Sequence, residues 1–144
     1  MPVGSGVGGL PGATRLGLET TYWCESYAAA LPVINAEAHS GDKIWVEPWS
    51  YDVMIYYQLH GQLRRDLTIL NTAFGAFSLF GPWAPQPVYG EFFGANWIVF
   101  EYRQSQFEEF SGTLPLLPEF LKSLAPPVVD IRSAGVPIMQ LYHR

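Results

Sequence analysis

The α/β fold is predicted from short apolar runs such as Lys43-Ile44-Trp45-Val46-Glu47-Pro48-Trp49, which a proline and a tryptophan close. The length and the aromatic and β-branched content of this run predict a short buried strand over residues 43–47. Ser50 follows as an N-cap, and we expect a helix from there to about Leu63. After the polar joint Arg64-Arg65-Asp66, the run Leu67-Thr68-Ile69-Leu70 predicts a second buried strand.

The same alternation extends toward the N-terminus. Residues 16–23 predict a strand, and residues 25–39 predict a helix in which Pro32 bends the axis or shifts the start. Strand, helix, strand, helix and strand in succession are typical of a parallel sheet with helical crossovers. Because the strands are continuously apolar, we expect that sheet to be covered on both faces.

The C-terminal part of the chain predicts a different arrangement. Residues 96–102 form the most aromatic and β-branched run, which favours a strand, and residues 104–110 predict a short helix. Pro118 is well placed at the start of a helix that continues through Leu124.

Two further strands close the predicted fold. Residues 128–132 and 136–142 are joined by Ser133-Ala134-Gly135, a short Gly-containing connection that predicts a β-hairpin. Pro137 cannot donate to a ladder, so we expect its strand to lie at a sheet edge. The predicted fold class is α/β: a layered, mixed, mostly parallel sheet with flanking helices and a C-terminal antiparallel hairpin.

Composition limits the size and class of the protein. The 144 residues suffice for one domain, and we expect residues 1–12 to form a flexible Gly-rich linker and residues 13–144 a single α/β domain. Charged residues make up only 15% of the chain, which indicates that a partner, another domain or lipid covers part of the surface.

The net charge of −5 and the scattered basic residues disfavour binding to nucleic acid. Cys24 is the only cysteine, which excludes an intrachain disulfide.

The sequence lacks the motifs of common catalytic and metal sites. It contains neither a P-loop nor the G-x-S-x-G element of hydrolases. His39, His60 and His143 are far apart and lack the spacing of a metal-binding motif. We therefore expect no catalytic residues, no metal and no other cofactor in this chain.

One candidate ligand site follows from the predicted topology. In α/β sheets, ligands bind beyond the carboxyl ends of the strands. Glu25, Glu47, Trp49 and Asp52 lie near predicted strand or helix ends and could line one crevice there. Two carboxylates with aromatic walls resemble a sugar site in outline. Acidic residues at helix starts also stabilise the helix dipole, which explains the same pattern without a ligand.

A second candidate site is the apolar segment of residues 71–95. From Leu67 to Gly90 there is no charged side chain, and the density of Pro and Gly excludes a long helix. One interpretation is an irregular loop folded over the domain's own core. The other is a surface that meets lipid or a transmembrane partner, because aromatic side chains favour the membrane interface. The side chains in question are Phe74, Phe77, Phe80 and Trp83.

The N-terminal region resembles a known family. Gly8-Gly9-Leu10-Pro11-Gly12-Ala13 through Glu19-Thr20-Thr21-Tyr22-Trp23 is similar to the segment after the last membrane span in dolichyl-phosphate-mannose-protein mannosyltransferase-like proteins. These are polytopic C-type glycosyltransferases in which a GG-x-x-GA element precedes a Tyr-Trp element. Further short similarities are Ser40-Gly41-Asp42-Lys43-Ile44-Trp45-Val46, Tyr56-Tyr57, Leu63-Arg64-Arg65-Asp66, residues 97–106 and Gly135-Val136-Pro137-Ile138.

The resemblance implies that the full protein moves a sugar from a polyprenyl-phosphate donor on the extracytoplasmic side of a membrane. Acidic catalytic residues of such enzymes lie in loops between N-terminal membrane spans, so no catalytic residue carries over to this chain. The resemblance thus implies a non-catalytic C-terminal domain of a multi-pass membrane protein. Its expected partner is the membrane-embedded part of the same polypeptide, and it could also meet the lipid surface or a glycan or protein acceptor.

Two alternatives stay open. The first is a free-standing module that binds a sugar or nucleotide in a crevice near Glu47, Trp49 and Asp52. The second is a hydrolase that uses Glu25 and Glu47.

Overall fold

A computed structural model describes residues 25–46, 50–72, 75–101 and 114–144. It confirms the α/β class, with a six-stranded mixed sheet and helices. The strands are β1 (Lys43–Val46), β2 (Thr68–Asn71), β3 (Val88–Tyr89), β4 (Trp97–Glu101), β5 (Val129–Ser133) and β6 (Val136–His143). The α-helices are α1 (Leu31–Glu37), α2 (Tyr51–Leu59) and α3 (Leu117–Ser123), and short 3₁₀ helices cover Glu25–Ala30, Phe92–Gly94 and Leu114–Leu116.

The sheet is built around β1. The strand order is β3-β2-β1-β4-β6-β5, and β1 pairs in parallel with both β2 and β4. β3 extends the parallel part beyond β2, whereas β6 runs antiparallel to β4 and β5. The chain therefore adds strands on one side of β1 and then returns to its other side, which places the carboxyl ends of the first four strands at one edge.

Helices cover both faces of the sheet, as the apolar strands predict. On one face, side chains from β1, β2, β4 and β6 form a core with α1 and α2; among them are Ile44, Val46, Ile69, Val99, Leu141, Ile34 and Ile55. On the other face the core includes Trp45, Leu70, Ile98, Phe92, Leu117 and Leu121. Neighbouring residues of β1 point to opposite cores, so the strand is buried on both sides.

Two predicted helices are shorter in the structure than the sequence indicates. The first begins as the 3₁₀ helix Glu25–Ala30 and becomes α-helical at Leu31, with Pro32 in its first turn, which confirms the shifted start. The second ends at Leu59 rather than about Leu63. Gly61 follows with a φ of 71°, a left-handed conformation that stops the helix at little steric cost.

The C-terminal hairpin is confirmed, but its position is not the one that Pro137 predicts. β5 is the edge strand, and β6 lies inside the sheet between β4 and β5. The described pairing of β6 with β4 runs from His143 to Met139, which lies opposite Glu101, the last residue described before position 114. The β5 pairing is also irregular between Ile131 and Arg132, the residue opposite Pro137. Pro137 therefore lies at an irregular point of the pairing between β5 and β6.

The polar joint between α2 and β2 connects two helix ends. Arg64 donates to the carbonyl oxygen of Ala38 at 2.6 Å, just after α1, and forms an ion pair with Asp66. Arg65 donates through Nε to the carbonyl oxygen of Gln58 at 3.1 Å, in the last turn of α2. Consecutive arginines therefore satisfy terminal carbonyl groups of two different helices.

Several regions named in the sequence predictions lie outside the described residues. These are the linker of residues 1–12, the strand of residues 16–23 and the helix of residues 104–110. Among the helices that the structure does describe, none has both the length and the hydropathy needed to cross a membrane.

We predict that Gln58→Leu destabilises the domain by about 1–3 kcal/mol. The buried Gln58 amide donates to the carbonyl oxygens of Arg64 at 3.0 Å and Leu67 at 2.9 Å, and leucine leaves both acceptors without that donor. Urea unfolding monitored by circular dichroism measures the change. Gln62→Leu is the matched control, because Gln62 is exposed; equal stabilities for the two variants would contradict the prediction.

Candidate interaction surface

The four predicted crevice residues do not form a described cluster. Glu47 and Trp49 lie outside the described residues, and Glu25 is the first residue of the 3₁₀ helix Glu25–Ala30. Asp52 lies in the first turn of α2, as predicted, after Ser50 at the N-cap position. Its carboxylate faces a loop of the same chain.

That loop, residues 75–87, leads into β3 and is called the aromatic loop below. Asp52 Oδ1 accepts the backbone N–H of Leu79 at 3.3 Å, and the Ser78 side chain also hydrogen-bonds to this carboxylate. Beside it, the Tyr51 hydroxyl donates to the carbonyl oxygen of Phe77 at 3.0 Å. The first turn of α2 therefore fixes one side of the aromatic loop.

The two side chains that anchor the loop, Asp52 and Tyr51, both have raised pKa values. Burial raises the pKa of Asp52, although its hydrogen bonds with Leu79 and Ser78 oppose the increase. Burial also raises the pKa of Tyr51, and the neighbouring Asp52 charge adds to the effect. The Tyr51 hydroxyl thus remains protonated at neutral pH and can donate.

A single amide side chain holds the interior of the aromatic loop. Gln86 Oε1 accepts the backbone N–H of Ser78 at 3.0 Å. Its Nε2 donates to the carbonyl oxygens of Gly81 at 3.0 Å and Ala84 at 2.9 Å. Three hydrogen bonds from one side chain define the loop conformation without regular secondary structure.

The loop divides its large apolar side chains between core and surface. Phe77, Leu79 and Trp83 keep 66%, 77% and 75% of their area exposed, and we call these three the apolar tip. Phe80 instead is half-buried and packs against the core, with its ring 6.1 Å from that of Tyr56. Phe74 lies outside the described residues. The loop thus has the features of both interpretations, a part folded on the core and a part turned outward.

The sequence prediction did not identify Leu79 or the role of Gln86. Leu79 is aliphatic and gave no aromatic signal, yet it is the most exposed member of the apolar tip. Gln86 lies between two prolines in an uncharged segment. An amide side chain in that setting indicates a structural role. A segment rich in Pro and Gly forms few regular backbone hydrogen bonds, so side chains must supply the partners for its N–H and carbonyl groups.

A second polar cluster lies at the opposite edge of the sheet, at the amino ends of β1 and β4. Asp42 Oδ2 accepts from Trp97 Nε1 and from the backbone N–H of His39, each at 3.0 Å, and the His143 ring stacks on Trp97 at 4.0 Å. Burial disfavours the Asp42 charge, but these hydrogen bonds and the charges of His39 and His143 lower its pKa overall. The contacts join the turn before β1 to the end of β6.

Metal binding has no support in the described ranges, where no three His, Cys, Asp or Glu side chains come together as a metal site requires. What α2 and the aromatic loop assemble is a fixed backbone with apolar side chains directed outward. Exposed apolar side chains of this kind are a feature that interaction surfaces of proteins share. Comparison of the chain with protein families, curated proteins and solved structures finds no match.

Gln86→Ala is expected to loosen the aromatic loop while leaving the sheet intact. Loss of three hydrogen bonds should speed hydrogen exchange at the Ser78 amide by about tenfold or more. Exchange measured by mass spectrometry at the peptide that contains Ser78 tests this, with the amides of β1 as internal reference. Gln62→Ala is the matched control, and unchanged exchange in Gln86→Ala would show that the amide does not hold the loop.

The pKa shifts predict opposite effects of pH for two carboxylates. Because the folded-state pKa of Asp52 is raised, its ionisation opposes folding, so its contribution is greatest below its ordinary value of 3.8 and declines as pH rises through the folded pKa. Asn retains an oxygen acceptor for Leu79. We therefore expect Asp52→Asn to be at least as stable as the original chain at pH 7, with that advantage lost in acid.

Asp66→Asn provides the contrast. The hydrogen bond from Arg64 lowers the pKa of Asp66, so its contribution is present above the ordinary value of 3.8 and is lost as pH falls through the folded pKa. This variant should be less stable at pH 7 and equal to the original chain in strong acid. Thermal unfolding from pH 7 down to about pH 2 compares both variants, and the same pH dependence in both would refute the assignment.

Proposed function

We propose that this chain is a non-catalytic, extracytoplasmic domain of a polytopic membrane glycosyltransferase that uses a polyprenyl-phosphate sugar donor. The observation that carries the proposal is the apolar tip: Phe77, Leu79 and Trp83 are exposed on a loop whose backbone is fixed. A fixed apolar surface favours a permanent apolar neighbour over open water. The family resemblance implies that this neighbour is the membrane-embedded part of the same polypeptide.

The energetics of the apolar tip suit a tethered contact. Full burial of one such side chain contributes about 1.5–3 kcal/mol, and each member still exposes most of its area. Separate molecules would lose much of this gain to the entropy of association. Attachment within one polypeptide raises the effective concentration, so three side chains suffice to keep the domain on its neighbour.

The role of such a domain is to hold or orient an acceptor rather than to transfer sugar. At the anchor of the aromatic loop, Asp52 accepts hydrogen bonds from the loop itself. Its carboxylate is therefore used in structure, and this supports docking over a ligand crevice at Asp52. The glycan or protein acceptor would meet the part of the domain that faces away from the membrane.

The coding sequence provides the first test. We expect the reading frame upstream of Met1 to encode several apolar segments of about 20 residues each. The isolated chain should fold and should transfer no sugar from a polyprenyl-phosphate donor to a protein acceptor, whereas the full-length protein should transfer it. An in-frame stop codon directly before Met1, or turnover by the isolated chain, would overturn the proposal.

A further inference from the structure

β5 is the edge strand on one side of the described sheet, and its composition suits a further strand. In the described part of the chain it pairs only with β6. Val129 and Ile131 pack against the core beneath α1 and α2 but are only half-buried. Asp130 and Arg132 form an ion pair with each other, so β5 carries no net charge. The strand also contains no proline, which would block a ladder on its outer side.

The path of the chain before β1 shows how a preceding strand would run. α1 and α2 end side by side: the Asn35 side chain donates to the carbonyl oxygen of Gln62 at 2.8 Å and accepts the backbone N–H of Arg64 at 3.1 Å. α2 leads from the carboxyl end of β1 to the amino end of β2, so it ends at the amino edge of the sheet. α1 therefore also ends at that edge, as the helix between two parallel strands does.

The face on which α1 lies decides the side of β1 to which a preceding strand belongs. α1 and α2 cover the same face, and α2 connects β1 to β2. Crossovers between parallel strands have one hand, so two crossovers on one face advance across the sheet in the same direction. The connection from β3 to β4 fits this rule, because it buries Phe92 on the opposite face and moves in the opposite direction. A strand before α1 therefore lies on the side of β1 away from β2.

On that side, the described strands leave one position open. β4 and β6 each have two neighbours, whereas β5 has one. β5 runs parallel to β1, because it is antiparallel to β6, and β6 is antiparallel to β4. The 3₁₀ helix Glu25–Ala30, which leads into α1, contacts β4, β5 and β6. The chain thus enters α1 from the β5 side of the sheet.

We propose that residues 16–23 pair in parallel with the outer edge of β5 as a seventh strand. This segment lies outside the described residues, and its β-branched and aromatic content predicts a strand. Only Cys24 separates it from Glu25, so its end must lie within about 7 Å of the start of the 3₁₀ helix that contacts β5. The inference is independent of the proposed function, since it concerns contacts within this chain.

Cysteine cross-linking tests both the segment and the side of the sheet. In a Cys24→Ser background, Arg132→Cys is combined with a cysteine at each of positions 18–22 in turn. Paired strands bring Cα atoms within the range of about 4.4–6.8 Å that a disulfide spans. We expect intramolecular disulfides at alternate positions and none between them, because alternate side chains of a strand point to the same face. Mass spectrometry after mild oxidation detects them.

Val88→Cys is the matched control, because Val88 is exposed on β3, the edge strand on the other side of the described sheet. It should form no disulfide with the same five positions. Disulfides with Val88→Cys, equal yields at all five positions with Arg132→Cys, or no disulfide with either would overturn the inference. Disulfides between two molecules would also overturn it and favour pairing of β5 with a second copy of the chain.

Hydrogen exchange provides a test without added cysteines. Thr20→Pro removes a backbone N–H from the proposed strand, so exchange in the peptide that contains Val129–Ser133 should become about tenfold faster or more. Val7→Pro lies outside the proposed strand and should leave that exchange unchanged. The amides of β1 are the internal reference for an intact sheet. Equal exchange of β5 in the two variants would overturn the inference.

Discussion

The structure depends on the burial of β1 from both sides. Ile44 and Val46 belong to one core and Trp45 to the other, and all three are fully buried. A four-residue strand with this pattern is stable only when both of its faces are covered and both of its edges are paired. The flanking helices and the parallel neighbours β2 and β4 are the consequences of that requirement.

Side-chain hydrogen bonds fix the parts that regular secondary structure leaves open. Arg64 and Arg65 bind carbonyl groups at or just beyond the ends of α1 and α2, and Gln86 binds three backbone groups within the aromatic loop. In each case one polar side chain connects segments that make few regular ladder bonds. The position of the apolar tip thus follows from a few specific polar contacts rather than from packing alone.

Five of the six described strands and the starts of α2 and α3 could be predicted because their signals are local, whereas β3 lies in the span of residues 71–95 that the sequence presents as irregular. The apolar run of β1, the proline at the start of α3 and the connection between β5 and β6 each encode their structure within a few residues. The place of β6 in the sheet could not be predicted from Pro137, because the order of strands depends on partners distant in sequence. Likewise Phe77 and Phe80 look alike in sequence, yet only the three-dimensional position of α2 decides that Phe80 packs inward.

The interior position of β6 affects the order in which the sheet can assemble. β6 follows every other described strand in the chain, yet it is the element that links β5 to β4. During synthesis the parallel half, β3-β2-β1-β4, can pair before β6 leaves the ribosome. Until then β5 has no neighbour among the described strands, and the β6 side of β4 remains an unpaired edge. A nascent chain would therefore expose an unpaired, aggregation-prone edge of β4 until β6 is synthesised. Shielding of that edge by a chaperone or a nearby surface would matter most at this stage.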